Sequence, residues 1–401
     1  STRVRSSAAS DVYKRQGYKY LELDANERDM LALACEKFDK VILIVNSSNP
    51  VELKELDEKE FVNVKAALWV GAVGQEGMYA IGDVLNGNIN PSGRLVDTYA
   101  YDSTSAPANK NLGNYTFTNS SVKNGNNYMV YQEGIYVGYR YYETRYEDSV
   151  LGTGNAGDYD YATEVQFPFG YGLSYSEFEW SGFSMTENGN AFELEVTVTN
   201  KGPYAGKDVV EAYMQSEYTQ YDRDNGIEKS AVELVGFAKT KELAVGESEK
   251  VKITVDKELM KSYDAYGEKT YIVESGEYYL ASGRDSHDAL NNILAAKGKT
   301  TADGMDYNGN SALACKITSS EKGLPAYDEF SVSPFTENEV TNRFDDADIN
   351  IYEGTKGQEI TYLSRSDWNG TYPTPVSLAC TSERMVRDCL LYTSDAADDL
   401  T

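Results

Sequence analysis

AALWVGAVGQEGMYAIGDVLNGNINPSGRL (Ala66–Leu95) changes its character three times within one short stretch. Ala66–Val70 is an apolar run, the signature of a buried strand. Gly71, Gly74 and Gly77 then interrupt it, and Gly74–Gly87 has the pattern of a helix with a glycine stop. Gly87, Pro91 and Gly93 supply turn chemistry. Leu95–Tyr99 (LVDTY) has the composition of a strand returning to the sheet. Strand, glycine turn, helix and turn together make one unit of an α/β layer structure, with right-handed crossovers.

The flanks extend the alternation. Upstream, Asp24 and Glu27 form a capping-box pattern. Met30, Leu31, Ala34, Cys35 and Phe38 recur at helical spacing, which places Cys35 in the core. Lys37 and Lys40 lie where positive charge suits a helix C-terminus. VILIVN (Val41–Asn46) is β-branched throughout, and strands apolar on both faces belong to buried parallel sheets. A second helix is predicted near Asp57–Lys65. Residues 17–180 are therefore expected to form an α/β domain with a mostly parallel sheet.

Gly71, Gly74 and Gly77 could suggest a phosphate cradle, but GxxGxxG is not the dinucleotide fingerprint and no acidic ribose partner is placed for it. Nucleotide binding is a remote option. The loop after Ala66–Val70 remains a natural ligand position, because open α/β sheets bind at the carboxyl ends of their strands. Glu76 lies in that loop and is the candidate substrate-binding residue.

Beyond residue 180 the period changes. AFELEVTVTN (Ala191–Asn200) alternates strictly, with Phe192, Leu194, Val196 and Val198 on one face, as in a half-buried antiparallel strand. Val209–Gln215, Glu233–Thr240, Lys250–Asp256 and Gly276–Gly283 supply further short strands. That spacing predicts an all-β, immunoglobulin-like sandwich over 181–298. Residues 299–378 are polar, strand-poor and rich in Asp, Asn and Ser, and are expected to be a connector. Trp368 and Tyr372 within it are assigned to interdomain packing.

Three runs carry a specific resemblance: GQEG through NPSGRL (Gly74–Leu95), YQEGIYVGYRYYE (Tyr131–Glu143) and FPFGYGLSY (Phe167–Tyr175). In this order they resemble the non-barrel half of a family 3 glycoside hydrolase, and the sandwich resembles the fibronectin type III-like domain of that family. The connector resembles one found in members with reversed domain order, where the barrel follows. The resemblance implies a retaining, exo-acting, β-glucosidase-like parent enzyme that releases terminal β-linked sugars from oligosaccharides or glycosides.

Retaining glycosidases need two carboxyl groups about 5–5.5 Å apart, one of them a protonated acid. The resemblance places the nucleophilic Asp on the barrel, and the acid/base Glu in a GEG-like loop shortly before the helix that begins near Asp24. Glu22, in YLELD, is the nearest carboxylate, but the motif around it does not match. No catalytic residue is therefore assigned, and the chain by itself is expected to be inactive. Glu133 and Glu143 are expected to orient turns, and Arg94 and Arg140 to serve a domain interface. The alternative function is a non-catalytic carbohydrate-binding or adhesion module.

The ends differ from the rest. Ser6–Gln16 (SSAASDVYKRQ) and Cys389–Asp399 (CLLYTSDAADD) back-translate to one sequencing adapter and its reverse complement. Residues 1–16 and 379–401 are accordingly expected to be adapter-derived and are set apart from the fold.

Composition narrows the partners. The chain has 401 residues and a net charge of −27, a field that repels phosphate backbones and anionic membranes. No run of eighteen apolar residues is present, so no membrane span is expected. The four cysteines show no metal-ligand spacing, and neither a cofactor nor a metal is assigned. The 33 tyrosines suit both strands and sugar stacking. His287, the single histidine, follows a predicted strand and is expected to be a turn residue rather than a base. An orphaned α/β domain would also expose its barrel-facing surface, which predicts self-association.

Overall fold

The computed structural model describes residues 21–74, 76–110, 114–117, 127–128, 130–319, 332–333, 335–341, 359–374 and 377–380. The two adapter-like ends lie outside this set, apart from 379 and 380. The connector stretch NRFDDADINIYEG (342–354) lies wholly outside it.

The first helix, α1 (Ala25–Lys37), opens on a complete capping box. The Glu27 amide donates to the Asp24 carboxylate at 2.8 Å, and the Asp24 amide to Glu27 at 2.9 Å. Leu31 and Cys35 are buried against Phe61, as the apolar spacing requires. Strand β1 (Val41–Val45) pairs parallel with β2 (Val64–Trp69). The segment between them is two short 3₁₀ turns, Lys54–Asp57 and Lys59–Phe61, in place of the helix predicted at Asp57–Lys65. Phe61 is the one apolar anchor that goes fully under α1. With no apolar stripe at helical spacing around it, a helix there would have nothing to bury.

Helix α2 (Gly77–Leu85) follows the glycine loop and ends before Asn86. The expected return of Leu95–Tyr99 to the sheet does not occur. The Leu95 amide instead donates to the Tyr171 carbonyl, and its carbonyl accepts from Gly170, so the NPSGRL turn is zipped to the GYG turn. Strand β3 (Tyr99–Ala100) pairs antiparallel with β6 (Val165–Phe167). Of the two short strands between them, β4 (Asn114–Phe117) and β5 (Asn127–Tyr128) pair antiparallel, while β16 (Ser377–Cys380) joins β4 in parallel. The α/β unit is thus a set of small mixed sheets, and the mostly parallel sheet is not observed. Nor is β1 covered on both faces: Ile42 and Ile44 are 51% and 41% exposed.

Helix α3 (Tyr139–Leu151) is the pivot of the molecule. Gly152, left-handed at φ 68°, stops it. Tyr141, Tyr142, Tyr146 and Val150 are buried, and so are Glu143, Glu147 and Asp148. A helix wrapped on all sides must find partners for its charges inside the protein.

The sandwich forms as the alternation predicts, with Phe192, Leu194, Val196 and Val198 no more than 2% exposed. One sheet has the order β11–β8–β7 (Ser248–Asp256, Ala191–Asn200 and Phe178–Asn188). The other has the order β10–β9–β14–β15, from Glu233–Lys239, Val209–Ser216, Gly276–Gly283 and Ala314–Ser319. A small hairpin, β12 (Ser262–Asp264) and β13 (Thr270–Ile272), stands beside them. The last sheet strand, β15, comes from the segment read as polar connector. Between β14 and β15, helix α4 (Ser286–Ala296) buries Leu290, Ile293 and Leu294 in the same cluster as Tyr146. The two units therefore share one core.

Candidate functional site

The carboxyl ends of β1 and β2 form the loop cluster where a ligand site is expected. Asn46 Nδ2 donates to the Gly71 carbonyl at 3.0 Å, and Trp69 Nε1 to the Ser47 carbonyl at 2.9 Å. Gly71 and Gly74 have φ of 56° and 64°, which lets the chain turn sharply from strand to helix. Glu76 stands at the start of α2, exposed, and makes no side-chain bond to the helix end. Asn46 and Glu76 are exposed in this stretch, while Gly71 is buried. Glu22 is occupied elsewhere, paired with Lys54 at 3.0 Å.

The two glutamates of the second hallmark run, Glu133 and Glu143, face inward. Glu133 is buried, and that burial raises its carboxyl above the usual range. Glu143, on α3, accepts from Tyr161 Oη at 2.6 Å and from Ser286 Oγ at 3.0 Å. Its Oε2 lies 2.7 Å from His287 Nδ1, while His287 Nε2 lies 2.8 Å from Asp306 Oδ2. The imidazole stacks on Tyr161 with ring centroids 3.7 Å apart. Burial works against charge on this ring, but Glu143 and Asp306 outweigh it and push His287 up to about 10. His287 is therefore an imidazolium, buried in the first turn of α4 and not in an exposed turn. With both nitrogens committed it has no lone pair to offer as a base.

A second buried cation sits at the other end of α3. Arg365 is 4% exposed and takes Asp148 through Nε at 3.1 and 3.0 Å and Glu147 through Nη2 at 2.6 Å. Lys297 also reaches Glu147, at 2.8 Å. Burial opposes ionisation of Glu147, but these two cations hold it down at about 2. Trp368 is fully buried and donates Nε1 to Asp148 at 2.7 Å, and Tyr372 Oη donates to the Ser105 carbonyl. Both residues pack on the α/β unit, Trp368 beside Tyr136 and Tyr141 and Tyr372 beside Tyr141.

Arg94 and Arg140 lie at the junction of the two units. Arg94 reaches Asp208 just ahead of β9, and Arg140 lies 3.8 Å from Glu233 on β10. Among the described residues, no group of three His, Cys, Asp or Glu side chains could hold a metal ion. Among the described residues, no helix is long and apolar enough to cross a membrane.

The sequence reading missed the Glu143–His287–Asp306 and Arg365–Asp148 clusters. A weak signal existed for each. A lone histidine two residues after an Asp N-cap position sits in a helix's first turn, and an Arg-x-x-Trp in a polar stretch has no reason to be solvated at both residues.

An α/β layer joined through one core cluster to a fibronectin-like sandwich, with Glu133 and Glu143 turned inward, defines a two-domain unit. Residues 4–139 match the glycosyl hydrolase family 3 C-terminal domain, and residues 208–286 the fibronectin type III-like domain. The chain thus carries the C-terminal domain of glycosyl hydrolase family 3, continuous with its fibronectin-like partner.

Among relatives, a β-glucosidase of Ruminococcus albus is 33% identical over 275 residues, covering 67% of this chain and 25% of the relative. A β-glucosidase structure from Paenibacillus barengoltzii superposes with a TM-score of 0.55 at 30% identity, covering 67% of this chain and 27% of that one. β-Glucosidase 3B of Thermotoga neapolitana, solved with glucose, gives 0.53 at 31% identity over 66% of this chain and 33% of that one. The chain spans between a quarter and a third of the length of these relatives.

Proposed function

We propose that this chain is the non-barrel portion of a retaining, exo-acting, β-glucosidase-like hydrolase that removes terminal β-linked sugars from oligosaccharides or glycosides. The observation that carries the reading is its joint likeness, in domain order and sequence, to β-glucosidases of which it covers only a part. The inward orientation of Glu143, and of Glu147 and Asp148 further along α3, favours a supporting role for this portion. Glu143, Glu147 and Asp148 are fixed to His287, Lys297 and Arg365, so none can act across a glycosidic bond. Glu76, exposed at the start of α2, is the residue assigned in this reading to approach a sugar held by a neighbouring barrel, a role its exposure supports. The reversed order, with the barrel downstream of the connector, belongs to the same reading.

The test is hydrolysis of aryl β-glucosides and aryl β-xylosides by this chain as it stands. No turnover is expected from it, and sustained turnover would overturn the assignment of both catalytic carboxylates to other parts of the parent. A calorimetric titration with cellobiose separates the alternative: saturable binding without a barrel would favour a carbohydrate-binding module.

A further inference from the structure

Residues 359–374 are held in an unusual way. They form one helical turn, Trp368–Thr371, and enter no sheet. Specific side chains fix them instead. Arg365 is the centre: on one side it grips Asp148 and Glu147 of α3. On the other, its Nη1 donates to the Lys229 carbonyl at 3.2 Å, and its backbone amide to Glu228 at 2.9 Å, both ahead of β10 in the sandwich. The guanidinium also lies 5.2 Å from the Tyr218 ring centre. One cation thus touches both units.

The receiving surface is shaped for this segment. Trp368 fills a fully buried slot beside Tyr136 and Tyr141, with ring centres 4.7 and 5.8 Å away. Gly154 makes room for it: a Cβ there would come within 2.4 Å of the Arg365 carbonyl oxygen and 3.1 Å of Trp368. At Gly157 a Cβ would come within 2.7 Å of the Asn369 amide. Backbone bonds mark the ends of the contact, from the Leu363 amide to the Gln132 carbonyl and from the Trp368 amide to the Gly154 carbonyl.

Electrostatics make the socket incomplete without its occupant. Glu147 and Asp148 are 1% and 3% exposed. With residues 359–374 withdrawn, Glu147 keeps Lys297, but Asp148 loses both Arg365 and the Trp368 indole and keeps no cation, only the hydroxyl of Thr153 at 3.0 Å. A buried carboxylate without a counter-charge is strongly disfavoured. The socket therefore selects a peptide that brings a guanidinium and, three residues on, an indole.

We propose that residues 359–374 are a peptide ligand carried in cis, which seats in an acidic, aromatic socket built jointly by α3 and the Glu228–Lys229 loop and thereby locks the two domains together. The occupant is this chain's own Arg-x-x-Trp segment, supplied at the high effective concentration that a tether gives.

The experiment uses the full chain and a fluorescein-labelled synthetic peptide of residues 359–374. An Arg365→Gln chain, whose own strap is weakened, is expected to bind the peptide saturably. The wild-type chain, its socket filled, is expected to bind it at least tenfold more weakly. A peptide carrying Arg365→Gln is expected to bind neither. Equal binding to both chains, or none to a folded Arg365→Gln chain, would overturn the proposal. Hydrogen exchange on the wild-type chain decides the matter independently of any variant. A ligand in cis detaches locally, so the amides of Leu363 and Trp368 exchange faster than those in the middle of α3. Equal protection would mean that the segment is ordinary core, and the proposal would fail.

Discussion

Arg94 Nη2 lies 2.7 Å from Asp208 Oδ1, and this bond ties the NPSGRL turn to the start of β9 in the sandwich. The same guanidinium donates to the Gly172 carbonyl in the GYG turn, and Asp208 also takes Trp180 Nε1 at 2.6 Å. Two of the three hallmark runs are thus pinned to the sandwich by one ion pair. Domain joining accounts for Arg94 and Gly172 within those runs.

Replacing Arg94 by Met should therefore destabilise the whole two-domain unit. Asp208 is 2% exposed and would be left with hydrogen bonds but no cation. Breaking one partner of a buried pair costs about 3 kcal/mol or more. Urea unfolding is expected to show that loss, with Arg94→Lys recovering part of it. A midpoint equal to that of wild type would mean that the pair contributes nothing net.

His287 makes a second prediction, with a defined pH window. Its folded pKa is raised to about 10, so the folded chain holds the proton more tightly than the unfolded one. The contribution to stability is fully present below the ordinary histidine value of about 6.5 and is lost as pH climbs through about 10. His287→Gln should cost about 3 kcal/mol at pH 6, because Glu143 stays buried without its cation. The deficit should shrink on the way to pH 10. A deficit that does not change with pH would mean that the ring is neutral in the folded protein.

Glu211 works in the opposite direction at the junction with the GYG turn. It is 5% exposed, and burial pushes its carboxyl up to about 7 despite the Tyr213 hydroxyl at 2.7 Å and the nearby Arg94. Asp285, raised by burial to about 6, and Asp208 face the same pocket. A raised carboxyl binds its proton more tightly in the folded state, so stability falls as pH rises from the unfolded value of about 4.3 towards 7. The fall attributable to Glu211 is on the order of 3 kcal/mol. Glu211→Gln should flatten that part of a stability–pH curve measured by thermal unfolding between pH 5 and 7.5. A slope identical to wild type would assign the loss to Asp285 or other groups.

What could be read in the sequence, and what could not, divides along physical lines. Strict alternation in Ala191–Asn200 gave the sandwich face residue by residue, because a period of two has one solution when one face is buried. The capping box at Asp24 was equally local, and it formed as read. Sheet partnership was not legible. Leu95 looks like a strand returning to the sheet, yet it pairs with Gly170 and Tyr171, a contact decided by tertiary docking. The buried cations were invisible for the same reason. Arg365 lies 217 residues from Asp148 in sequence, and nothing local to either residue announces the other. Glu76 lies between β2 and α2, as its place in the chain implied, but that position says nothing about whether it meets a sugar or which one.

The face of β1 gives the last prediction. Parallel strands ordinarily have both faces covered, because crossover helices pack on each side. Here Val41, Leu43 and Val45 point into the protein, while Ile42 and Ile44 on the opposite face are 51% and 41% exposed. Ala66 and Ala67 of the neighbouring β2 are exposed as well. The other edge of β1 pairs with no strand among the described residues, so its backbone groups are available to another chain. An open edge beside an apolar face is the arrangement that drives edge-to-edge pairing. Sedimentation velocity is expected to show concentration-dependent self-association of this chain. Ile44→Lys places a charge on that face and should weaken association about tenfold or more, whereas a lysine at exposed Tyr204, in the turn after β8, should leave it unchanged. A chain that stays monomeric at high concentration would show that the β1 face is tolerated in water, and association unaffected by Ile44→Lys would move the contact to another surface.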